Sequence, residues 1–153
     1  MESISREKLT ADFGEAFLTL QHTFSICMQL LLGKYGLYPG QPQVLFALSE
    51  LGTPTQNELA VHLGIGKASA GVSIRRLENG GFVKRIRDKK DTRCIRLSLT
   101  QKGTEYTRWC KIDYDMFFTT MLESFSADER EQALSCVQAM EGSLDALRSR
   151  LES

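Results

Sequence analysis

Ten lysines and arginines crowd into residues 66–96: Lys67, Arg75, Arg76, Lys84, Arg85, Arg87, Lys89, Lys90, Arg93 and Arg96, against only Glu78, Asp88 and Asp91. That segment carries +7 in a chain whose 19 basic and 19 acidic residues cancel, while residues 113–153 carry −6. A one-sided cationic patch on a neutral chain is the electrostatic footprint of a polyanion site. A solvated charged loop would show the same run, so the decision rests on the elements that hold the charges.

Other chemistry finds no support in residue spacing. Cys27, Cys94, Cys110 and Cys136 form no C-x-x-C pair, and with two histidines there is no zinc-ligand pattern. Reduced thiols and neither metal nor cofactor are expected. Gly64 and Gly66 follow a helix and lack the third glycine of a dinucleotide loop, and Gly66-Lys67 is not followed by Ser or Thr as a P-loop requires. Ser69 lies outside any G-x-S-x-G frame, and neither His22 nor His62 has an evident partner, so an enzyme is not expected.

The elements follow from periodicity and turn chemistry. Leu9, Phe13, Ala16, Leu20, Phe24, Cys27 and Leu31 recur at helical steps, the seam of a helix of about seven turns ending near Gly33 or Gly36. A short helix is read over 43–51, stopped by Gly52. Thr55 and Glu58 form a capping box that opens a third helix at 56. Gly64 and Gly66 make a tight turn into a fourth, from Lys67 to Asn79, with Ala70, Ile74 and Leu77 on its inner face.

Two short helices joined by a glycine turn, the second rich in Lys and Arg, are a helix-turn-helix signature. Phe82 to Arg87 and Arg93 to Leu99 then read as a β-hairpin with a basic tip at Lys89 and Lys90, in the place of a wing. Thr100 caps a helix running to about Phe125, and a capping box at Ser126 and Glu129 opens the last one. There Leu134, Val137, Met140, Leu144, Leu147 and Leu151 form a second long apolar stripe. Stripes this extensive call for a second copy of the chain.

The fold class is therefore mainly α with a small β-hairpin wing: a winged helix-turn-helix flanked by N- and C-terminal dimerisation helices. With 153 residues, 42% hydrophobic and 25% charged, the chain is read as a single soluble domain, 1–153, with a DNA-binding lobe at 41–100 and dimerisation helices at 5–35 and 101–153. The start MESISREKL shows no apolar leader core, and Gln29 and Gly33 interrupt the most apolar stretch, so a cytoplasmic protein without a membrane segment is expected.

In this order of elements the chain resembles the MarR family of winged helix-turn-helix regulators over almost its whole length. The most specific match runs from Asp91 to Thr100, an Asp-x-Arg followed after five residues by Leu-Thr, and continues into Lys102 and Gly103. Arg76, Leu77, Glu78, Gly81 and Arg85 match the family's exit from the recognition helix. The resemblance implies a homodimer with interleaved terminal helices, recognition helices in successive major grooves of duplex DNA and wings in the flanking minor grooves. Where many members carry Thr then Arg in the recognition helix, this chain has Ser69 and Val72.

Residue roles are expected accordingly. Lys67, Ser69, Val72 and Arg75 lie off the apolar stripe and face DNA, with Val72 suited to a thymine methyl. Arg93 enters a narrow minor groove, Lys89, Lys90 and Arg87 contact phosphates, and Thr55 caps its helix with a phosphate contact as a second role. Arg76 is counted among the DNA-binding residues, and by the resemblance it also pairs with Asp91, which stabilises the wing. Leu9, Phe13, Leu20, Leu134, Val137, Leu144 and Leu147 form the dimer interface. Cys27 is read as a packing thiol, with oxidant sensing as its alternative, and His22 and Tyr38 join it as candidate effector residues. The expected function is that of a homodimeric repressor relieved by a small molecule or an oxidant; the alternative is a winged-helix module for protein contacts without DNA binding.

Overall fold

The computed structural model describes residues 5–152; Met1–Ile4, where the reading of the leader begins, and Ser153 lie outside the described residues. Its elements in chain order are α1 (Arg6–Gly33), α2 (Gln41–Leu51), α3 (Gln56–His62), α4 (Lys67–Asn79), β1 (Val83–Arg87), β2 (Ile95–Leu99), α5 (Gln101–Met121) and α6 (Ala127–Leu151). They divide into two compact units, Met1–Asp113 and Tyr114–Ser153.

The core of the first unit is assembled from short elements whose ends are chemically defined. Gly40, at φ 88°, turns the chain into α2, and Pro42 sits where a helix needs no N–H. Thr55 accepts the Glu58 N–H at 3.2 Å while Glu58 Oε2 accepts the Thr55 N–H at 2.7 Å, the capping box that starts α3. Gly64, at φ 63°, supplies the left-handed residue between α3 and α4. Val44, Leu45, Leu48, Leu59, Ile74, Leu77 and Leu97 then bury one apolar centre among α2, α3, α4 and β2. Each such side chain contributes about 1.5–3 kcal/mol by leaving water.

The hairpin pairs Val83 with Leu99, Arg85 with Leu97 and Arg87 with Ile95. The alternation expected of Ile95, Leu97 and Leu99 holds only at its centre: Leu97 is buried, but Ile95 beside the tip is exposed and Leu99 is no better covered than Ser98. A further bridge between Thr55 and Arg96, with the Leu97 N–H donating to the Pro54 carbonyl at 2.8 Å, joins the wing to the loop before α3. β2 begins at Ile95, so Arg93 stands in the tip turn and not on the strand where sequence placed it. The physical reason is that Asp91 closes a tight turn, its Oδ1 accepting the Arg93 N–H at 3.0 Å and its carbonyl accepting the Cys94 N–H at 2.9 Å.

Two long helices differ from expectation in detail. α1 buries only Met28 and Leu32. It has 28 residues and an 18-residue window of mean hydropathy 1.2, long and apolar enough by length and composition to cross a membrane, contrary to the sequence reading. No charged residue falls between Glu15 and Lys34, and Gln29 alone does not lower that average enough. α5 stops at Met121, four residues before the expected Phe125. There the N–H groups of Glu123 and Phe125 turn to carbonyls three residues back, those of Thr120 and Leu122, which tightens the last turn and ends the helix. In the second unit Ser126 and Glu129 form the anticipated capping box, and α6 buries none of its residues.

One polar cluster was not anticipated. Asp113 on α5 is only 8% exposed; its Oδ2 accepts from the Tyr35 hydroxyl and lies 2.7 Å from Lys34 Nζ at the end of α1. Burial pushes this carboxyl up, but hydrogen bonds from Lys34 and Tyr35 outweigh it and hold it below the ordinary 3.8. Tyr35 also stacks on Trp109 at 6.4 Å and meets Tyr106 edge-on at 5.7 Å. Asp113→Ala is expected to lower stability by about 1–3 kcal/mol, because the Tyr35 hydroxyl and Lys34 lose their acceptor. The contribution of Asp113 is full above its ordinary value and is lost as pH falls through the lower folded one. Urea unfolding of both proteins at pH 7 and near pH 3 checks this: the difference should shrink in acid.

Candidate nucleic-acid interface

α4 presents its Ala70, Ile74 and Leu77 face to the core, which turns Lys67, Ser69, Val72, Arg75 and Arg76 outward. Val72 is 49% exposed, an apolar side chain in open solvent on a helix otherwise lined by cations and a hydroxyl. Such a face suits a major groove, where a methyl and base-edge acceptors alternate.

The wing tip is stitched by its own acids. Asp88 Oδ1 accepts the backbone N–H groups of Lys90 at 2.7 Å and Asp91 at 3.0 Å, and the Asp88 N–H donates to the Cys94 carbonyl at 2.9 Å. Arg87, Lys89, Lys90 and Arg93 are thereby displayed on a fixed turn, all exposed. Among the described residues no carboxylate pairs with Lys67, Arg75, Lys84, Arg87, Lys89, Lys90 or Arg93. These are the cations left available to an external anion.

Others in the same run are already engaged. Arg85 Nε reaches both oxygens of Glu78, at 3.0 and 3.1 Å. Arg96 binds Asp88, donates to the Thr53 carbonyl at 2.9 Å and lies 3.5 Å from Glu58. The Arg96 guanidinium, with the turn N–H groups of Asp91 and Lys90, holds the Asp88 carboxyl well below the usual range, at about 2. The pairing of Arg76 with Asp91 is corrected: Arg76 stands 5.5 Å above the Tyr38 ring, while Asp91 bonds within the tip turn. Arg76 leaves α4 on the side of the turn before α2, where an exposed aromatic ring offers a cation its face.

The remaining candidates divide. Thr55 caps α3 through its hydroxyl. Leu9, Phe13, Leu20, Leu134, Val137, Leu144 and Leu147 are 41–60% exposed, so two helices carry large apolar side chains that their own chain does not cover. His22 is exposed, Cys27 is half-buried and Tyr38 lies under Arg76, and no hydrogen bond, ion pair or ring contact joins the three. Sequence reasoning missed Arg96 and Asp88; the one signal was an extra acid three residues before Asp91. It placed Lys102 in the motif but gave it no role: Lys102 donates to the Gly80 carbonyl at 2.7 Å at the end of α4 and sits over the Phe82 ring at 4.3 Å.

A glycine-turned helix pair followed by a basic two-stranded wing defines a winged helix-turn-helix protein. Residues 35–93 match the family model described as MarR family. Similar curated proteins include the HTH-type transcriptional regulator YwoH of Bacillus subtilis (strain 168), 29% identical over 100 residues that span 65% of this chain and 72% of that protein. The HTH-type transcriptional regulator BilQ of Clostridioides difficile (strain CD3) is 25% identical over 113 residues, 74% of this chain and 76% of its own. Among solved structures, the S. aureus MepR–DNA complex superposes with TM-score 0.76 at 23% identity, covering 86% of this chain and 97% of that one. FabT of Streptococcus pneumoniae in complex with DNA gives TM-score 0.79 at 16% identity, with 90% and 99% covered. Over residues 35–93 the chain is therefore similar to the MarR family.

Proposed function

We propose that the protein binds duplex DNA as a homodimer and acts as a sequence-specific repressor, competing with polymerase for a promoter. The observation that carries this reading is the unpaired cationic surface formed by the outer face of α4 and the stitched tip of the wing. In this reading Lys67, Ser69, Val72 and Arg75 read a major groove, Arg93 enters the adjacent minor groove, and Arg87, Lys89 and Lys90 hold phosphates, with Thr55 as a secondary phosphate contact. The relatives named above as transcriptional regulators support it, as do the DNA complexes of MepR and FabT.

The uncovered stripes of α1 and α6 support self-association, since apolar surface of that extent is buried in a stable protein. A cytoplasmic location follows from the same role. Relief of repression would come from a small molecule or oxidant that favours a different spacing of the two lobes, a shift between two populations, with His22, Cys27 and Tyr38 as its candidate contacts. A winged module serving protein contacts would have no need of so many unpaired cations on one face.

Arg93→Ala tests the assignment. Titrated against one duplex at several salt concentrations, the variant is expected to bind more weakly and to lose about one counterion-release unit per subunit from the salt slope. Its largest loss should fall on A·T-rich flanks, whose narrow minor groove carries the strongest negative potential. Unchanged affinity and slope would remove the wing from the interface.

A further inference from the structure

Arg96 was counted among the cations of the basic run, yet its guanidinium is engaged within the protein through Nε and Nη1. Asp88 Oδ2 accepts from its Nε, the Thr53 carbonyl accepts from Nη1 at 2.9 Å, and Glu58 Oε2 lies 3.5 Å from the same nitrogen. Each partner belongs to a different part of the lobe. Asp88 is the root of the tip turn, and its other oxygen accepts the N–H groups of Lys90 and Asp91. Thr53 lies in the loop after α2, and Glu58 Oε2 is the atom that caps α3 by accepting the Thr55 N–H. The guanidinium therefore spans from the wing tip to the helices of the helix-turn-helix, where a two-stranded hairpin alone would hold its angle poorly.

We infer that Arg96 and Asp88 form a strut that sets the angle of the wing to α3 and α4, and so act as positioning residues for DNA binding without touching DNA. The inference rests on the DNA-binding reading given above. It separates two kinds of cation within one run: Lys89, Lys90 and Arg93 are displayed, whereas Arg96 is the tie that displays them. An unbraced wing would still reach its phosphates, but ordering it would be charged against every binding event.

Two substitutions distinguish a strut from a simple charge. Asp88→Asn keeps an oxygen for the Lys90 and Asp91 N–H groups, so the turn persists, while the partner of Arg96 loses its charge. By electrostatics alone, deleting an acid from a DNA-facing surface tightens binding. The strut predicts the opposite sign, a weakening of about tenfold. Arg96→Lys retains the charge but loses the planar fork that serves several acceptors at once, and is expected to weaken binding similarly. Both single variants should keep the salt slope of the wild type, and the double variant should be no weaker than the poorer single one, since each breaks the same contact.

The experiment is titration of a fluorescent duplex at several salt concentrations with wild type, Asp88→Asn, Arg96→Lys and the double variant. Alongside it, tryptic cleavage after Lys89, Lys90 and Arg93 is timed in the DNA-free proteins, with thermal melts to verify folding. The strut predicts faster tip cleavage in all three variants at unchanged melting temperature. Tighter binding by Asp88→Asn, or cleavage at the wild-type rate, would overturn it. Failure of the wild type to retain any duplex would overturn the DNA-binding reading instead, and the cleavage rates would still decide whether the strut holds the wing.

Discussion

Replacing Gly103 by alanine is expected to remove about 2–4 kcal/mol of stability, from overpacking and from loss of a helix cap. A Cβ at this position would lie 2.0 Å from the Phe82 carbonyl oxygen, 3.0 Å from its carbon and 3.3 Å from Leu99 Cδ2. The obstacle is backbone, so no rotamer change relieves it. Nor is the Phe82 carbonyl free to move: it accepts the Thr100 N–H at 3.0 Å and the Thr100 hydroxyl at 3.2 Å. That hydroxyl in turn accepts the Gly103 N–H at 2.9 Å to start α5. Relief by retreat of α5 would break the junction between the wing and that helix. For a chain of this size the melting temperature should fall by about 5–15 °C. Gly142→Ala is the control, since it lies within α6 with nothing within 4 Å of the added methyl and should leave stability unchanged or slightly raised. Equal melting of Gly103→Ala and wild type would refute the close packing of α5 on residue 82.

The position of Gly103 after the Leu-Thr pair was visible in sequence as part of a motif, but its reason was not, because it depends on a backbone 21 residues away. The same division runs through the molecule. Capping boxes at Thr55 and Ser126, the glycine turn at Gly64 and the inner stripe of α4 were legible because each rests on neighbours within one or two turns. The wing was legible in outline from the two short strand-forming runs on either side of the basic tip, although only Leu97 of the expected inward residues of β2 is buried. Local pattern could not say which cations of the run were consumed: Arg85 is taken by Glu78 and Arg96 by partners as distant as Thr53. For the same reason Arg76 was matched to Asp91, whereas an aromatic ring 38 residues earlier lies below it. Asp113 gave no sign of its role, since Lys34 and Tyr35 meet it only after α1 and α5 pack.

The largest effect expected on binding comes from changing the DNA. If two copies of the lobe are joined through the apolar stripes of α1 and α6, their recognition helices share a two-fold axis and a fixed separation. The preferred site is then a pseudo-palindrome with half-sites about one helical turn, 10–10.5 base pairs, apart. Adding half a turn between half-sites rotates the second half-site to the far side of the duplex, where neither the second α4 nor its wing can reach it. Only the phosphate attraction of Lys67, Arg75, Lys89, Lys90 and Arg93 would remain, and specific affinity should fall by about a thousandfold or more toward the non-specific level. Inserting a full turn moves the half-sites apart on one side of the duplex and tests reach rather than facing. The decisive measurement is the affinity of the full chain for a site selected from genomic fragments, compared with the same site carrying five extra central base pairs. A collapse to the affinity of random duplex is the result predicted; equal affinity for both duplexes would contradict a two-fold, winged helix-turn-helix regulator.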